Sequence, residues 1–598
     1  MKSSQLLSGV RAGALVVWGF ALANALACGK DRPALDAPPV LIAGDDGGDA
    51  GGPVCGVQCS IDGRSKLTVC DGEVTETVMC PPEMACGAGI CQEPCAAAAA
   101  DHNSNGCDFY FQAPRYSSSN YRQSCYAAYV VNTSNQDATI SLEYQGQPID
   151  ISKSLFRTTP GDATLTAHTG PLAPGEGAIL FVSDRDRTGE PYVPSTPFDP
   201  DISCPKGVVP ATHVDVIPNG TGIGSSFRLT AGMPVSLASI YPFGGASSFV
   251  PAATLHLPVA TWEKQHILIN GWETGPTGRP AALIVASEDD TEVTLLPRVD
   301  LQNGAGVVGG PAGVPVKFRL GKGQNLQLVQ SRELTGSLVT SDKPTTTFAG
   351  HQCAEVPVGK AACDILTQQI PSLEQWGSEY VGVGYRPRLG NEHEPVGYRI
   401  VAAQDGTLLE YDPPQPPAGA PTALSRGQSK LFYAGTGDAF VVRTQDADHP
   451  IYVAAYMSGG GDANGAGDPE FVNVVAAGQY LRAYSFYADP TYAEASLVIV
   501  RAKAYGKFND VWLECAGNLT DFRPIGTRGD YEFTRVDLSR NFGNGASFDG
   551  GTCKAGMQRM SSEGPFSATL WGWGMYASYA FASGTALRKL VTNPIIVF

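Results

Sequence analysis

Two residues with reactive side chains lie close together near the middle of the sequence. His351 precedes Cys353 by two positions, which puts both side chains on one face of an extended strand, where an imidazole can activate a cysteine nucleophile. Cys363 follows in the same segment, and two cysteines so close in sequence are suited to closing a short loop. We therefore predict a structural disulfide Cys353–Cys363 here and no nucleophile.

Two other segments carry metal-binding side chains. The Glu-His-Glu sequence at 392–394 lies between Gly-Asn and Pro, which predicts an exposed turn. Asp462, Asn464 and Asp468 alternate with glycines, as the oxygen ligands of calcium do, but Ala466 occupies the place of the next ligand. We predict a plain glycine-rich hairpin loop, with calcium as the weaker alternative, and no cofactor.

Motifs that identify common enzyme classes are missing from the sequence. It contains no G-x-S-x-G, H-E-x-x-H or G-x-x-x-x-G-K, and its eight histidines are scattered. Trp571 and Trp573 alternate in a predicted strand, so both point to one face. Exposed, they would form a contact surface for carbohydrate or protein, but we favour burial in the core. The sequence therefore predicts a protein that is not an enzyme.

Composition favours many short strands. The chain has 598 residues, too many for one hydrophobic core, with 70 glycines and 44 prolines. The net charge of −17 and the lack of a Lys/Arg cluster argue against a nucleic-acid partner. The first expectation is thus an all-β protein of several domains.

The N-terminus has the pattern of an export signal. Lys2 and Arg11 flank a polar start, and an apolar run over 12–27 ends in Ala-Leu-Ala before Cys28. This resembles the bacterial lipobox, although Ala25 replaces the usual leucine. The sequence predicts a signal peptide over 1–27, lipidation at Cys28, a flexible tether over 28–54 and an outer-membrane or cell-surface location. Cleavage of an ordinary secretory signal, which would leave the protein secreted, is the alternative.

The remaining cysteines predict disulfides. Fifteen cysteines minus Cys28 leaves fourteen, an even number typical of an oxidising compartment. Seven lie within 55–95, and because seven is an odd number, one of them needs a partner outside this segment. Cys107 is the nearest such cysteine, which predicts a small disulfide-rich module over 55–107 with a short helix near its end. Two further pairs, Cys353–Cys363 and Cys515–Cys553, are predicted because each closes a short loop. Cys125–Cys204 is then assigned by elimination.

A long repeat follows the module. Four segments share an apolar strand, a turn and a second strand, and each unit closes with a proline before an apolar stretch, at Pro234, Pro344, Pro450 and Pro565. The spacing of roughly 110 residues is long for a propeller blade of about 40–50 residues but near a β-sandwich of about 100. We predict four β-sandwich-like units in tandem, approximately 108–250, 251–357, 358–476 and 477–598. A β-propeller-like arrangement is the alternative.

Connectors between units share a tryptophan. Leu257-Pro258 precedes Trp262, and Ile370-Pro371 precedes Trp376. A ligand contact would be needed only once, whereas a structural junction recurs in every unit. We therefore predict that Pro371, Trp376 and Trp262 are structural and that both rings are buried between units.

The same region resembles a known family. Gly350-His-Gln-Cys353, Val356-Pro357, Ala362-Cys-Asp364, Gln369-Ile-Pro371 and Trp376-Gly377 resemble the pattern GHxC…VP…CD…QxPP…WG of the IgG Fc-binding protein N-terminal domain. Ser372 replaces the second proline. The C-terminal stretches 479–492, 529–533 and 570–574 look like exported myxobacterial-type members. The resemblance implies a binding protein, but a shared fold does not fix the ligand.

Three functions remain open at this point. The leading hypothesis is a non-catalytic surface lipoprotein that binds a protein or glycan ligand in adhesion or matrix interaction. A secreted or anchored hydrolase of polysaccharide or peptide is the second, and it requires paired, perturbed carboxylates in a cleft. A structural envelope component is the third.

Overall fold

The computed structural model describes residues 55–116, 122–189, 201–245, 250–360 and 362–591. The predicted signal peptide, Cys28 and the tether lie outside these ranges. Within them, no helix is long and apolar enough to cross a membrane.

The first part is a small module held by disulfides. Its strands are β1 (Cys55–Cys59), β2 (Ser65–Cys70), β3 (Glu73–Met79), β4 (Ala85–Gly87) and β5 (Ile90–Gln92), followed by helix α1 (Pro94–Asp101). Its bridges are Cys55–Cys70, Cys59–Cys86, Cys80–Cys91 and Cys95–Cys107. A run of alanines forms α1, and His102 ends it in the left-handed conformation. The predicted disulfide-rich module is confirmed.

Strands make up almost all of the remaining regular structure, beginning with two units of similar plan. The first contains β6 (Gly106–Phe111), β7 (Tyr126–Asn132), β8 (Ile140–Tyr144), β9 (Gln147–Ile149), β10 (Leu155–Arg157), β11 (Thr166–Ala167), β12 (Gly177–Ser183), β13 (Gly222–Ser225), β14 (Phe227–Tyr241) and β15 (Ala252–Leu255). The second contains β16 (Glu263–Ile267), β17 (Pro280–Ala286), β18 (Thr291–Leu296), β19 (Val316–Leu320), β20 (Gln324–Val329), β21 (Leu338–Ala354) and β22 (Asp364–Ile370). Strand β13 pairs with β20, so it joins the second sheet.

Two more units complete the described chain. The third contains β23 (Glu379–Gly382), β24 (Pro395–Ala402), β25 (Thr407–Asp412), β26 (Ala423–Leu424), β27 (Ser429–Gly435), β28 (Phe440–Thr444), β29 (Ile451–Met457) and β30 (Glu470–Asn473). The fourth contains β31 (Leu481–Ala488), β32 (Glu494–Ala502), β33 (Val511–Leu513), β34 (Gly517–Asn518), β35 (Arg523–Ile525), β36 (Tyr531–Ser539), β37 (Ser547–Phe548), β38 (Gly551–Thr552), β39 (Gly556–Gly574) and β40 (Ala577–Ala582). The structure joins Cys125–Cys204, Cys353–Cys363 and Cys515–Cys553 within the first, second and fourth units.

One long strand organises the first, second and fourth units. The second half of β21 pairs with β17 and its first half with β18, two strands that follow each other in sequence and both run antiparallel to β21, and β14 and β39 are paired in the same way. In β39 the first half alternates buried and partly exposed residues, whereas most of the second half is buried on both faces. The second halves therefore lie inside the molecule.

Three of the four repeated prolines lie inside these long strands, whereas the sequence predicted prolines at strand starts. Pro234, Pro344 and Pro565 fall where pairing passes from one of these partner strands to the other, and the ladders with β6, β16 and β31 shift register there. A proline fits because the interrupted ladder needs no N–H at that point. In the third unit the strand is split into β28 and β29, and Pro450 immediately precedes β29.

The four units close into a ring. Strands β15, β22 and β40 pair with the buried halves of β14, β21 and β39, and β30 pairs with the buried strand β29. Strand β15 contacts β22 and β40, and β30 contacts the same two, so these four inner strands surround one axis. The Gln368 side chain lies at this axis and donates to the carbonyls of Ala253 (2.9 Å), Phe471 (3.0 Å) and Ala580 (2.9 Å), one from each of the other three units.

Residues that directly follow α1 bond to residues near the C-terminal end of the described chain and complete the ring. The Ser104 N–H donates to the Thr585 carbonyl at 2.9 Å, and the Leu587 N–H donates to the His102 carbonyl at 2.6 Å. The buried apolar clusters also join neighbours, because separate clusters span the first and second, second and third, third and fourth, and fourth and first units. The all-β prediction is confirmed, and the circular placement of the units corresponds to the propeller-like alternative.

Candidate binding groove

The predicted disulfide segment contains no free nucleophile. Cys353 is bonded to Cys363, and the buried His351 accepts the Cys353 N–H through Nδ1 at 3.1 Å while its Nε2 bonds the Glu273 carbonyl at 3.1 Å. Burial lowers the pKa of His351 to about 3, so the imidazole is neutral at ordinary pH. This histidine therefore stabilises the base of a loop.

The Glu-His-Glu segment divides its side chains among different partners. Glu394 is buried and accepts from the Arg388 Nε at 2.6 Å, whereas His393 is exposed and Glu392 pairs with Arg535 at 3.0 Å. The prediction of a fully exposed turn is therefore wrong for Glu394, because an arginine compensates its buried charge.

The calcium candidates also have separate partners. Asp462 is exposed and pairs with Lys360 at 2.9 Å, whereas the buried Asp468 accepts the Gly460 N–H at 3.1 Å. Asn464 ends a short 3-10 turn in the left-handed conformation. Among the described residues, no group of three or more His, Cys, Asp or Glu side chains is arranged to hold a metal ion.

The paired tryptophans of β39 lie in the core. Trp571 and Trp573 are each 2% exposed. The Trp571 ring lies 5.1 Å from that of Tyr385, and the Arg386 guanidinium stacks 4.6 Å from the ring of Trp573. Since both partners come from the third unit, these rings join the third and fourth units and offer no surface to a ligand.

Trp262 and Trp376 have the same role at two connectors. Each follows a 3-10 turn and is buried, and each indole N–H donates at 3.0 Å to the carbonyl five positions earlier, Leu257 and Pro371 respectively. Tyr480 follows the matching turn at the third connector and is also buried. Tyr480 was not predicted from the sequence, because a tyrosine stands where the other two connectors have tryptophan.

A chain of hydrogen bonds links the connectors. The Gln375 amide donates to the Thr261 carbonyl at 2.7 Å, and the Gln479 amide donates to the carbonyls of Gln375 (2.9 Å) and Arg588 (2.8 Å). A glutamine immediately before the aromatic residue, as in Gln375-Trp376 and Gln479-Tyr480, was the available sequence signal. The cavity among these connectors measures about 40 Å³, room for about one water and too small for a ligand.

Buried carboxyl groups lie close to the axis. Asp364 is fully buried, and neither of its oxygens has a hydrogen-bond partner among the described residues. Burial, with Asp468 and Glu470 nearby, raises the pKa of Asp364 well above its usual value, and burial raises that of Asp468 to about 7 and that of Glu470 well above its usual value. Because Asp364 and Glu470 are 0% exposed, no substrate reaches them, so this cluster does not supply the cleft that a hydrolase requires.

We expect Asp364→Asn to stabilise the protein increasingly as pH rises. Folding raises the pKa of the Asp364 carboxyl above its value near 3.8 in the unfolded chain. The buried neutral carboxyl therefore contributes fully to the free energy of unfolding below that unfolded pKa, and this contribution is lost as pH rises through the folded pKa. Thermal melts from pH 5 to 8 should therefore show a growing advantage of the variant over the parent. The control is Asp137→Asn at an exposed carboxyl. A difference between Asp364→Asn and the parent that stays constant over this range would contradict a buried neutral carboxyl.

One large open groove lies between the first and second units. It has a volume of about 680 Å³, within the range of ligand sites. Its walls carry side chains that are mostly polar and uncharged, and Arg279 is the one charged residue that lines it. The lining residues are Gly220, Thr221, 274–279, Gln302, Asn303, Val329, Ser331 and Gln352.

The first wall is a loop between β16 and β17 that is rigidly held at its base. The Thr274 hydroxyl donates to the Ser331 carbonyl at 2.8 Å, and the Thr277 hydroxyl donates to the Cys353 carbonyl at 3.1 Å. A Cβ on Gly278 would lie 2.5 Å from the Cys353 nitrogen, so only glycine fits there. The disulfide predicted from sequence thus supports the loop, while the Arg279 side chain remains exposed.

The second wall is the loop that contains Gln302 and Asn303. The Gln302 N–H donates to the Gln330 Oε1 at 2.7 Å, and the Leu301 N–H donates to the Gly310 carbonyl at 2.8 Å. Sequence reasoning missed this groove because its walls come from separate segments. The Thr-Gly-Pro-Thr-Gly-Arg sequence at 274–279 was the one local signal of a specialised loop.

Comparison with known proteins gives two findings. A protein-family model described as IgGFc binding protein matches residues 252–572, more than half of the chain. The IgGFc-binding protein of Homo sapiens is 28% identical over 199 residues, which cover 32% of this chain and 3% of the human protein. The match therefore spans only a small part of that relative.

Proposed function

The chain belongs to the IgGFc-binding protein family, and from that membership we propose that it is a non-catalytic cell-surface protein that binds a protein ligand in the groove. The human relative is named for binding IgG Fc, which indicates a protein as the ligand class. Adhesion or contact with an extracellular matrix is the role we propose for such binding.

The observation that carries the proposal is the overlap between the family match and the groove. Of the lining residues, all but Gly220 and Thr221 fall within 252–572. The walls are held by the Cys353–Cys363 disulfide and by hydrogen bonds at the loop bases, so the surface is organised before a ligand arrives.

Export to an oxidising compartment is supported by the disulfides. The seven described bridges use fourteen of the fifteen cysteines and leave Cys28. We propose that Cys28 carries a lipid anchor in the outer membrane and that 28–54 is a tether.

Mass spectrometry of the mature N-terminus tests the anchor. We expect the first residue to be Cys28, carrying a lipid, and Cys28→Ser to release the protein from the membrane fraction. An unmodified N-terminus, or a start at another residue, would contradict lipid anchoring and leave a secreted protein.

An array of defined extracellular proteins, including IgG Fc, beside a glycan array tests the binding function. We expect the full chain to bind at least one protein saturably and without changing it. Binding to glycans alone, or cleavage of an arrayed ligand, would overturn the proposal.

A further inference from the structure

Two side-chain amides that line the groove have free donors. The Gln302 Oε1 accepts the Ser331 N–H at 3.1 Å, and the Asn303 Oδ1 accepts the Gly309 N–H at 2.8 Å. These bonds fix the orientation of both amides. The two NH₂ groups donate to no described atom and are left for a ligand.

The charge at the groove is positive although the whole chain is acidic. Arg279 lines the groove, and Arg332 directly follows the lining residue Ser331. Both arginines are exposed, and neither has an ion-pair partner within the described ranges. Glu273, exposed beside Thr274, is the one carboxylate adjacent to the lining loop in sequence. Glu333 follows Arg332, but its carboxylate pairs with Arg399. Arg279 is therefore the one charged side chain that lines the groove, in a protein of net charge −17.

We propose that the groove binds an acidic, extended segment of a polypeptide. A ligand carboxylate accepts both N–H groups of the Arg279 fork, and ligand carbonyls accept from the Gln302 and Asn303 amides. The lining residues include no aromatic ring on which a sugar would stack, which favours a polypeptide over an acidic polysaccharide. This inference rests on the proposed function and specifies the ligand chemistry of the same site.

Binding of an oligo-glutamate peptide to the full chain tests the proposal, with polygalacturonate as the carboxylated polysaccharide. We expect saturable binding of the peptide that weakens with salt, and Arg279→Gln to reduce its affinity by about 10- to 100-fold. Gln302→Glu is the sharper variant, because it keeps the oxygen that accepts the Ser331 N–H and replaces the donor with a second acceptor. It should abolish binding with an unchanged thermal midpoint.

Arg64→Gln is the matched control, since Arg64 is exposed in the module, which contributes no residue to the groove. It should bind the peptide like the parent. Equal affinity of the parent, Arg279→Gln and Gln302→Glu would overturn the proposal, as would binding of polygalacturonate alone. If a protein from the array binds equally well to both groove variants, this inference and the placement of the site in the groove fail, while the proposed binding of a protein ligand stands. If no arrayed protein binds the parent, the proposed function itself fails.

Discussion

Trp376→Ala should lower the free energy of unfolding by about 3–5 kcal/mol, the usual cost of truncating a buried aromatic side chain. The ring is 2% exposed, lies 5.5 Å from that of Tyr452, and donates its indole N–H to the Pro371 carbonyl. Its loss leaves a cavity at the connector between the second and third units. Thermal melting should show a lower midpoint, and limited proteolysis should show faster cleavage between these units.

Two other tryptophans provide controls. Trp262→Ala removes the equivalent ring one unit earlier and should have a similar effect, because its indole N–H makes the equivalent bond to the Leu257 carbonyl and its ring lies 5.9 Å from that of Tyr110. Trp512, 38% exposed on β33, is the matched exposed site, and its truncation should cost much less. If Trp376→Ala melted like the parent but lost binding to a protein ligand, the residue would be a surface contact and the structural interpretation would be wrong.

Gln368→Met should destabilise the ring of units by about 3–5 kcal/mol, since each buried carbonyl left unpaired costs about 1–3 kcal/mol. Methionine keeps the length of the side chain but removes the donors to the carbonyls of Ala253, Phe471 and Ala580. The substitution therefore removes hydrogen bonds between units and leaves the hydrogen bonds within each sheet intact. Chemical denaturation should show a lower midpoint.

The matched control is Gln147→Met, a surface substitution on β9 that should change stability little. A parent-like midpoint for Gln368→Met would mean that the three carbonyls are satisfied in another way. The shared amide would then not hold the four inner strands together.

Short-range features of the fold were predictable from sequence, whereas contacts between units were not. Alternation, turns and cysteine spacing predicted the strands and the disulfide-rich module, because these signals act over a few residues. Ring closure depends on pairing of His102 and Ser104 with residues near 585–587, which no local pattern reveals. The prolines were placed at strand starts because sequence alone cannot show that a long strand continues through an interrupted ladder.

The candidate site was the least predictable part. The Cys353–Cys363 pair and the Trp376 connector were visible because their residue types are distinctive. The groove depends on Gln302 and Asn303, two residue types that are frequent in any sequence and therefore do not mark a site. Their role follows only from the structure, in which the side-chain oxygens accept the N–H groups of Ser331 and Gly309 and leave the NH₂ groups free. Such an arrangement of donors exists only in three dimensions.

The central claim is that this member of the family binds a protein in the groove between its first two units. Hydrogen–deuterium exchange of the full chain, with and without the protein selected on the array, tests it most directly. We expect slower exchange on binding in peptides that contain 274–279, Gln302 and Asn303, with little change at the connectors. Protection confined to other surfaces, with the groove peptides unchanged, would contradict the claim.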